Sequence, residues 1–523
     1  MGKYLLKRIL HGMISVCIVV ACVMIMIYSL LDRNLIFAQD PNYSHQSTNQ
    51  KITYKYEKWE DFGYLDYVTY ADYLQELTDN GEIDEDTRAE AVSFGKTAEN
   101  DSELVKQYVK KFNDEYKAKG YKVVRLEAVM LSPKKYANGG QQQLFAYKDL
   151  SLVKRLGSYF RNLVTVDNIH RVKEDVGKRG LTFTLHDPAY GGDKFSPAII
   201  GNGTEHKYLL YCDAKFPFVH QNLVTIHLGT SYSVATGVDV FTSMTRTQGS
   251  YITSEITYPT GLTEESADDL HTATYLAGSR ESSMAYEDRF TDDYTCIDTV
   301  KGGMSKMGYS FVIGIIAVII AYLISVPVGI CMARKKDKLV DKIGTVYIVF
   351  ILAVPSLAYI FLFKAIGAKL GLPIIFDMES TSKLMFILPI VSLALPQIAD
   401  LMKWLRRYMI DQMNADYVKF ARASGLTENE IFFKHISKNA LIPIVHGIPA
   451  SVLGALIGAI ITERVYSVPG AGNLLTEAIG KYDNGVIVGV TLFYAVLSII
   501  SIILGDVLMS LVDPRISFST KDR

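Results

Sequence analysis

The chain has 523 residues, with 54 basic against 55 acidic side chains and 49% hydrophobic residues. So even a charge balance argues against a nucleic-acid partner, and a positive mean hydropathy argues against a wholly soluble protein. The average hides two parts: residues 35–305 are polar and rich in Tyr, Asp, Lys and Thr, whereas 306–512 are mostly apolar.

A run of about 20 apolar residues suffices to cross a bilayer. Residues 9–31 form the first such run. It is too long for a signal-peptide core and no clear small-residue cleavage site follows, so it reads as a retained span. Residues 35–305 then read as a compact α+β domain. Ser102 caps a predicted helix with Leu104, Val105, Tyr108, Val109, Phe112 and Tyr116 on one face and Gly120 as its stop. β-like runs at 121–126, 181–185 and 251–258 are separated by turn signals such as Gly191-Gly192 and Asn202-Gly203. The segments 159–166 and 219–226 look alike, which reads as coincidence.

This domain carries no recognisable chemistry. There is no H-E-x-x-H, no G-x-S-x-G and no Cys/His metal spacing. His186-Asp187 and His220-Gln221 form no set with a nucleophile, so no catalytic or metal-binding residue is expected. Tyr208, Tyr211, Phe216 and Phe218 read as core. Cys17, Cys22 and Cys331 read as small apolar residues of the spans. Cys212 and Cys296 are candidates for one disulfide, which sequence leaves open.

Further spans fit 309–332, 343–366, 384–401, 444–461 and 486–511, six in all. Basic clusters flank them on one side: Lys3, Lys7 and Arg8; Arg334, Lys335, Lys336 and Lys338; a third from Lys403 to Lys438; and Arg515 with Lys521. Positive charge marks the cytoplasmic side, which puts both termini inside and 35–305 outside. The domain boundaries are therefore 1–34, 35–305, 306–512 and a tail at 513–523.

The loop 403–442 is the most informative stretch. Gly425 breaks a helix, Thr427 and Glu430 make a capping box, and a short second helix offers Ile431, Phe432, Phe433 and Ile436 among Lys434, His435 and Lys438. An apolar knob with charged flanks suits a groove on a partner better than a lipid surface. In the fifth span Gly447, Ser451, Gly454 and Gly458 share a face, where helix packing is favoured over the lining of a solute passage. Pro355, with Ser356 and Tyr359 after it, joins this stripe and Glu463 as a candidate translocation path. Pro327, Pro389, Pro396 and Pro449 also permit bends. Lys364, Asp400, Glu463 and Asp506 are the ionisable groups near the spans, and Asp506 reads as a structural pair.

At these residues the chain resembles the B-type permeases of oligopeptide ABC importers, within the peptide/nickel permease subfamily. Asp416-Tyr417-Val418 followed by Ala421-Arg422-Ala423-Ser424-Gly425-Leu426 matches its D-Y-V-x-x-A-R-A-x-G-L loop. His435, Asn439, Ala440 and Pro443 match the loop's H-x-x-x-N-A-x-x-P ending, and Glu463, Val465, Pro469-Gly470, Gly472 and Leu474-Leu475 match the segment after the fifth span, with Tyr466 for the usual Phe. Asp513-Pro514-Arg515 matches its terminus, and Leu228-Gly229-Thr230-Ser231 its external G-D-L-G-T-S element, with His227 where Asp is usual. The large insertion looks like that of the Ami-type permeases of Gram-positive bacteria.

The resemblance implies a type I ABC importer fold in a bacterial cell membrane and an ATPase-coupling role for the 403–442 loop. It implies oligopeptide uptake, with nickel or opines as the alternative cargo and a receptor with a large ectodomain as a more distant reading. It also implies a second, C-type permease, two cytoplasmic ATPases binding ATP and Mg, and an extracellular peptide-binding lipoprotein. No G-x-x-x-x-G-K-[ST] is present, so the chain itself is expected to bind no cofactor and to be no enzyme.

Overall fold

The computed structural model describes residues 2–512 except 96, 129, 133–134, 137–141, 193, 213–217 and 379–381. Phe216 and the tail 513–523, with its Asp-Pro-Arg, lie outside the described residues.

Helix α1 (Gly2–Leu30) leads into the polar domain. There β1 (Leu65–Thr69), α2 (Glu103–Ala118), β2 (Lys122–Leu126) and β3 (Gln143–Asp149) form a first lobe, an antiparallel sheet in the order β1-β3-β2 under α2. The Ser102 hydroxyl accepts the Val105 N–H at 3.2 Å, and Gly120 ends the helical stretch with a φ of 80° that L side chains resist. Val105, Tyr108, Val109, Phe112 and Tyr116 are all buried, against Tyr70, Tyr73, Leu74 and Ala146. Each buried Phe or Leu there contributes roughly 1.5–3 kcal/mol.

Helix α3 (Leu152–Asn162) runs into β4 (Val164–Val166). A second sheet follows: β5 (Gly180–Thr184), β6 (Ala198–Asn202), β7 (Tyr208–Cys212) and β8 (Val219–Gln221), antiparallel in the order β8-β7-β6-β5. Then β9 (Val224–Ile226) pairs with β4, setting Val166 opposite Val224 and Thr165 opposite Thr225. The ends of the two look-alike segments, 164–166 and 224–226, are thus the two strands of one ribbon. Two other expectations fail. Phe218 is exposed rather than core. Cys212 and Cys296 are free thiols in separate sheets, opposite Val219 and Thr274 respectively, and form no bond.

The apolar part comprises α4 (Lys306–Arg334), α5 (Leu339–Ala353), α6 (Ser356–Lys369), α7 (Ile387–Met413), α8 (Asp416–Ala423), α9 (Ser437–His446), α10 (Ile448–Tyr466), α11 (Ala471–Gly480) and α12 (Asn484–Val512). Among the described residues five helices are long and apolar enough to cross a membrane, and α5 with α6 forms a pair bent by 108°. The span expected at 343–366 is broken at Pro355. This proline has no N–H to give, and it holds Val354 extended, at φ −81° and ψ 130°. Helix α7 runs twelve residues past the expected end at 401, and the span expected from 444 begins afresh after Gly447.

Two of the apolar cores among the described residues join the long helices. One joins α4, α5, α6, α7 and α10 through residues such as Ile313, Ala317, Leu393 and Ala455. The other joins α1, α11 and α12 to Leu228, Val240 and Met244 of the polar domain, which therefore shares a core with the spans.

Candidate functional site

The loop after α7 is a folded unit. Gly425, at a φ of 80°, ends α8. The Thr427 hydroxyl then accepts the Glu430 N–H at 3.3 Å while Glu430 accepts the Thr427 N–H at 3.2 Å. Hydrogen bonds from Thr427, with Lys434 adding to them, hold the Glu430 carboxyl below the ordinary carboxylate range. The Arg422 guanidinium does the same to Glu428 across 2.6 Å. Residues Ile431–Ile436 then form a π-helical turn, and the Ser437 hydroxyl closes on the Phe432 carbonyl at 2.9 Å.

The structure corrects the expected apolar knob. Ile431, Phe432 and Ile436 are buried in their own chain against Ala333, Leu405, Met409 and Val418. The π turn is what rotates them inward. What remains outside is Phe420, 73% exposed, Phe433, 53% exposed, and Leu426, 37% exposed. Around them Asp416, Arg422, Ala423 and His435 are exposed, Ala421 and Asn439 are half-buried, and Pro443 is exposed within α9. Arg334, at the end of α4, donates to Asn429 at 2.5 Å and stands over the Phe433 ring at 5.4 Å. Sequence reading passed over Phe420 and took Arg334 only as one of a basic cluster; the three-residue spacing from Tyr417 to Phe420 was the signal for the former.

Within the spans, Ser356, Tyr359, Ser451 and Gly454 come together around a cavity of about 600 Å³, with Gln397 and Asp400 from α7. A Cβ added at Gly454 would meet open space, so this glycine lines a void rather than a helix contact. Three expected path residues, Pro355, Gly447 and Glu463, behave otherwise. Pro355 makes the α5–α6 break and Gly447 the α9–α10 break, outside the cavity lining. Glu463 is fully buried and turned away: it accepts the Ser310 hydroxyl at 2.6 Å and the Asn473 N–H at 3.0 Å. It staples the turn before α11, where Gly470 has no room for a side chain. Gly458 lies in α10 but its surroundings are outside the described residues. Asp506 is paired, accepting from Tyr4 at 2.8 Å and standing 3.0 Å from Arg8 and 3.7 Å from His446.

A third constellation ties the polar domain to the last span. The Asp483 carboxylate, fully buried, accepts the Ser231 hydroxyl at 2.7 Å and the backbone N–H groups of Tyr232, Ser233 and Val234 at 2.9 Å each. It also caps α12 through the Val486 N–H at 3.1 Å. Gly485 and Gly489 admit the Thr230 and Leu228 carbonyls so closely that any Cβ would collide with them. Asp483 escaped the sequence reading because a lone acid before an apolar run looks like an ordinary helix cap.

The matching family model is the binding-protein-dependent transport system inner membrane component, over residues 325–518. The oligopeptide transport system permease protein AmiC of Streptococcus pneumoniae is 33% identical across 100% of this chain and 99% of its own length. The chain belongs to this permease family. The permease AppB of Bacillus subtilis, also of an oligopeptide transport system, is 29% identical over 225 residues, 41% of this chain and 71% of its own. Among solved structures, the MetNI methionine ABC transporter in inward facing conformations aligns at 14% identity, with a TM-score of 0.32 over 39% of this chain and 93% of that one.

Proposed function

We propose that this permease takes up oligopeptides as one half of an ATP-driven importer. Counting the bent α5–α6 pair as one gives six spans, and the one-sided basic clusters support cytoplasmic termini and an extracellular 35–305 domain, in the cell membrane of a Gram-positive bacterium. The partners in this reading are a C-type permease, two ATPases that bind ATP and Mg, and a peptide-binding lipoprotein. The permease holds no nucleotide. Its cavity between α6, α7 and α10 offers polar groups (Ser356, Tyr359, Gln397, Ser451) suited to a polar backbone in passage. Transport couples to ATP only if both ligands bias one two-state element.

The observation that carries the reading is the capped loop. It is braced on its own chain by Ile431, Phe432 and Ile436, yet shows Phe420, Leu426 and Phe433 on the basic face. A rigid body with an apolar tip is what a partner needs in order to push. The test is the double variant Phe420→Asp and Phe433→Asp: it should stay in the membrane, lose ATPase co-purification and abolish peptide uptake. Normal uptake by that variant would sink the coupling assignment.

A further inference from the structure

Where the polar domain meets the spans, a cavity of about 340 Å³ lies against the ends of α1 and α12, lined by Met24, Tyr28, Gly485 and Val488 and roofed by α3. Arg155 of α3 reaches into it. Its guanidinium packs over the Tyr28 ring at 3.5 Å and the Tyr64 ring at 4.1 Å. Tyr28 pairs with Tyr232 at 3.3 Å, and the Tyr64 hydroxyl accepts from Asn484 at 2.9 Å and also from the Arg155 guanidinium. Arg155 Nη2 is buried and has no acceptor.

The charges around it do not settle that account. Two carboxylates line the cavity, and each has a partner other than Arg155: Asp61 pairs with Lys58 at 2.7 Å, and Asp239, 3.8 Å from the His227 ring, caps the following helix through the Phe241 N–H. Among the described residues no carboxylate pairs with Arg155. The Arg155 side chain is half-buried, and of its guanidinium the enclosed Nη2 is left without an acceptor unless one enters from the cavity. The ring faces attract the cation but offer it no lone pair in its plane. Ser158 and Asn162, which also line the cavity, add donors on the same side.

We propose that this cavity binds the phosphate of a phospholipid, from the leaflet that faces the polar domain. A guanidinium fork matches phosphate oxygens two at a time. Aromatic hydroxyl-bearing rings beside a basic group are the composition of a membrane interface, and basic pockets between spans recognise head groups. Met24 and Val488 continue the cavity downward as apolar walls that suit acyl chain. The solute cavity beside α6 shares no lining residue with it, so peptide is not the fitting occupant. The choice of leaflet rests on the orientation proposed above; the binding test does not.

The test uses the full chain in detergent, read by native mass spectrometry against three probes. Wild type should retain one phosphatidylglycerol that Arg155→Gln binds about tenfold more weakly, the worth of a charged hydrogen bond. Arg155→Lys, with charge but no fork, should fall between. Diacylglycerol with the same chains should not be retained, and glycerol phosphate should not displace the lipid. Equal retention by wild type and Arg155→Gln would overturn the proposal and leave a trapped water as the acceptor. Displacement by glycerol phosphate alone would also overturn it, in favour of a free anion. If Arg155→Gln lowers the melting temperature, Ser158→Trp takes its place: it fills the cavity while leaving Arg155, and it should lose the lipid equally.

Discussion

Adjacent residues in the coupling loop carry opposite loads. Phe432 is 7% exposed and Phe433 is 53% exposed, although both are phenylalanines in one short helix. Phe432→Ala should therefore cost about 3–5 kcal/mol as a cavity in the core. Phe433→Ala should change stability by about 0.5 kcal/mol or less while still weakening uptake. Thermal unfolding of the purified permease beside a peptide-uptake assay separates the two, and equal loss of melting temperature would contradict the burial. Sequence periodicity could not make this distinction. It placed the apolar residues in a helix correctly, but the π turn at Ile431–Ile436 shifts their facing and leaves no mark in the spacing. The same limit applies to His271, which sequence reading passed over. It is buried, 2.8 Å from Asp187 and 3.6 Å from Asp269, with Tyr211 stacked on it at 4.1 Å. Burial pulls its pKa down, but hydrogen bonds and charge from Asp187 and Asp269 outweigh this and raise it above the ordinary histidine value. A raised folded pKa gives stability that is full below about pH 6.5 and is lost as pH climbs through the raised value. The polar domain should thus melt at a higher temperature at pH 6 than at pH 8, and His271→Gln should flatten that slope. An unchanged slope in the variant would assign the dependence to other groups.

At the scale of elements, what sequence made legible was length and apolarity. The helix Glu103–Ala118, its cap and its glycine stop follow from spacing alone, because each depends on neighbours within one or two turns. The spans follow for the same reason. The breaks did not: Pro355 was marked as permissive and Gly447 only as a small residue for packing, but whether a chain bends depends on what packs beside it. The small-residue stripe of α10 shows this most directly. Packing was the favoured reading, yet Gly454 faces the 600 Å³ cavity while helix contact falls to Ala455 and Leu456, against Gly314 of α4. Gly454→Phe should accordingly fill the cavity with little strain. We expect peptide uptake to fall at least about tenfold, with ATPase co-purification and melting temperature close to wild type. A variant that transports normally would move the passage elsewhere; one that fails to fold would restore the packing role.

For the whole molecule the question is which way it faces, and the structure makes the test sharper than sequence did. The polar domain cannot be treated as a detachable insertion. Trp59, Phe62 and Tyr64 pack with Tyr232, Arg155 lies over Tyr28, and Asp483 gathers four donors from the strap that carries Tyr232. Deleting the stretch 45–205 would strip Trp59, Phe62, Tyr64 and Arg155 from that joint together with the lobe, so a loss of uptake would say nothing about orientation. Single-cysteine labelling leaves the joint intact. Asn202 and Asn429 are poor probes, since both amides are bonded, to Val176 and Lys178 and to Arg334 respectively. Met284, 81% exposed in the polar domain, and Lys419, with an exposed side chain paired to Asp416 one turn before it, are better. In a background where the five native cysteines are replaced, a membrane-impermeant maleimide should label Met284→Cys on intact cells and reach Lys419→Cys only after permeabilisation. The rule behind this is the excess of Lys and Arg on cytoplasmic loops, and the sequence spacing of the basic clusters is expected to place them on the side of the coupling loop. Labelling of Lys419→Cys on intact cells would invert the molecule, place the Phe420–Phe433 surface outside, and remove the basis for an ATPase contact there, whereas the fold and its two apolar cores would stand.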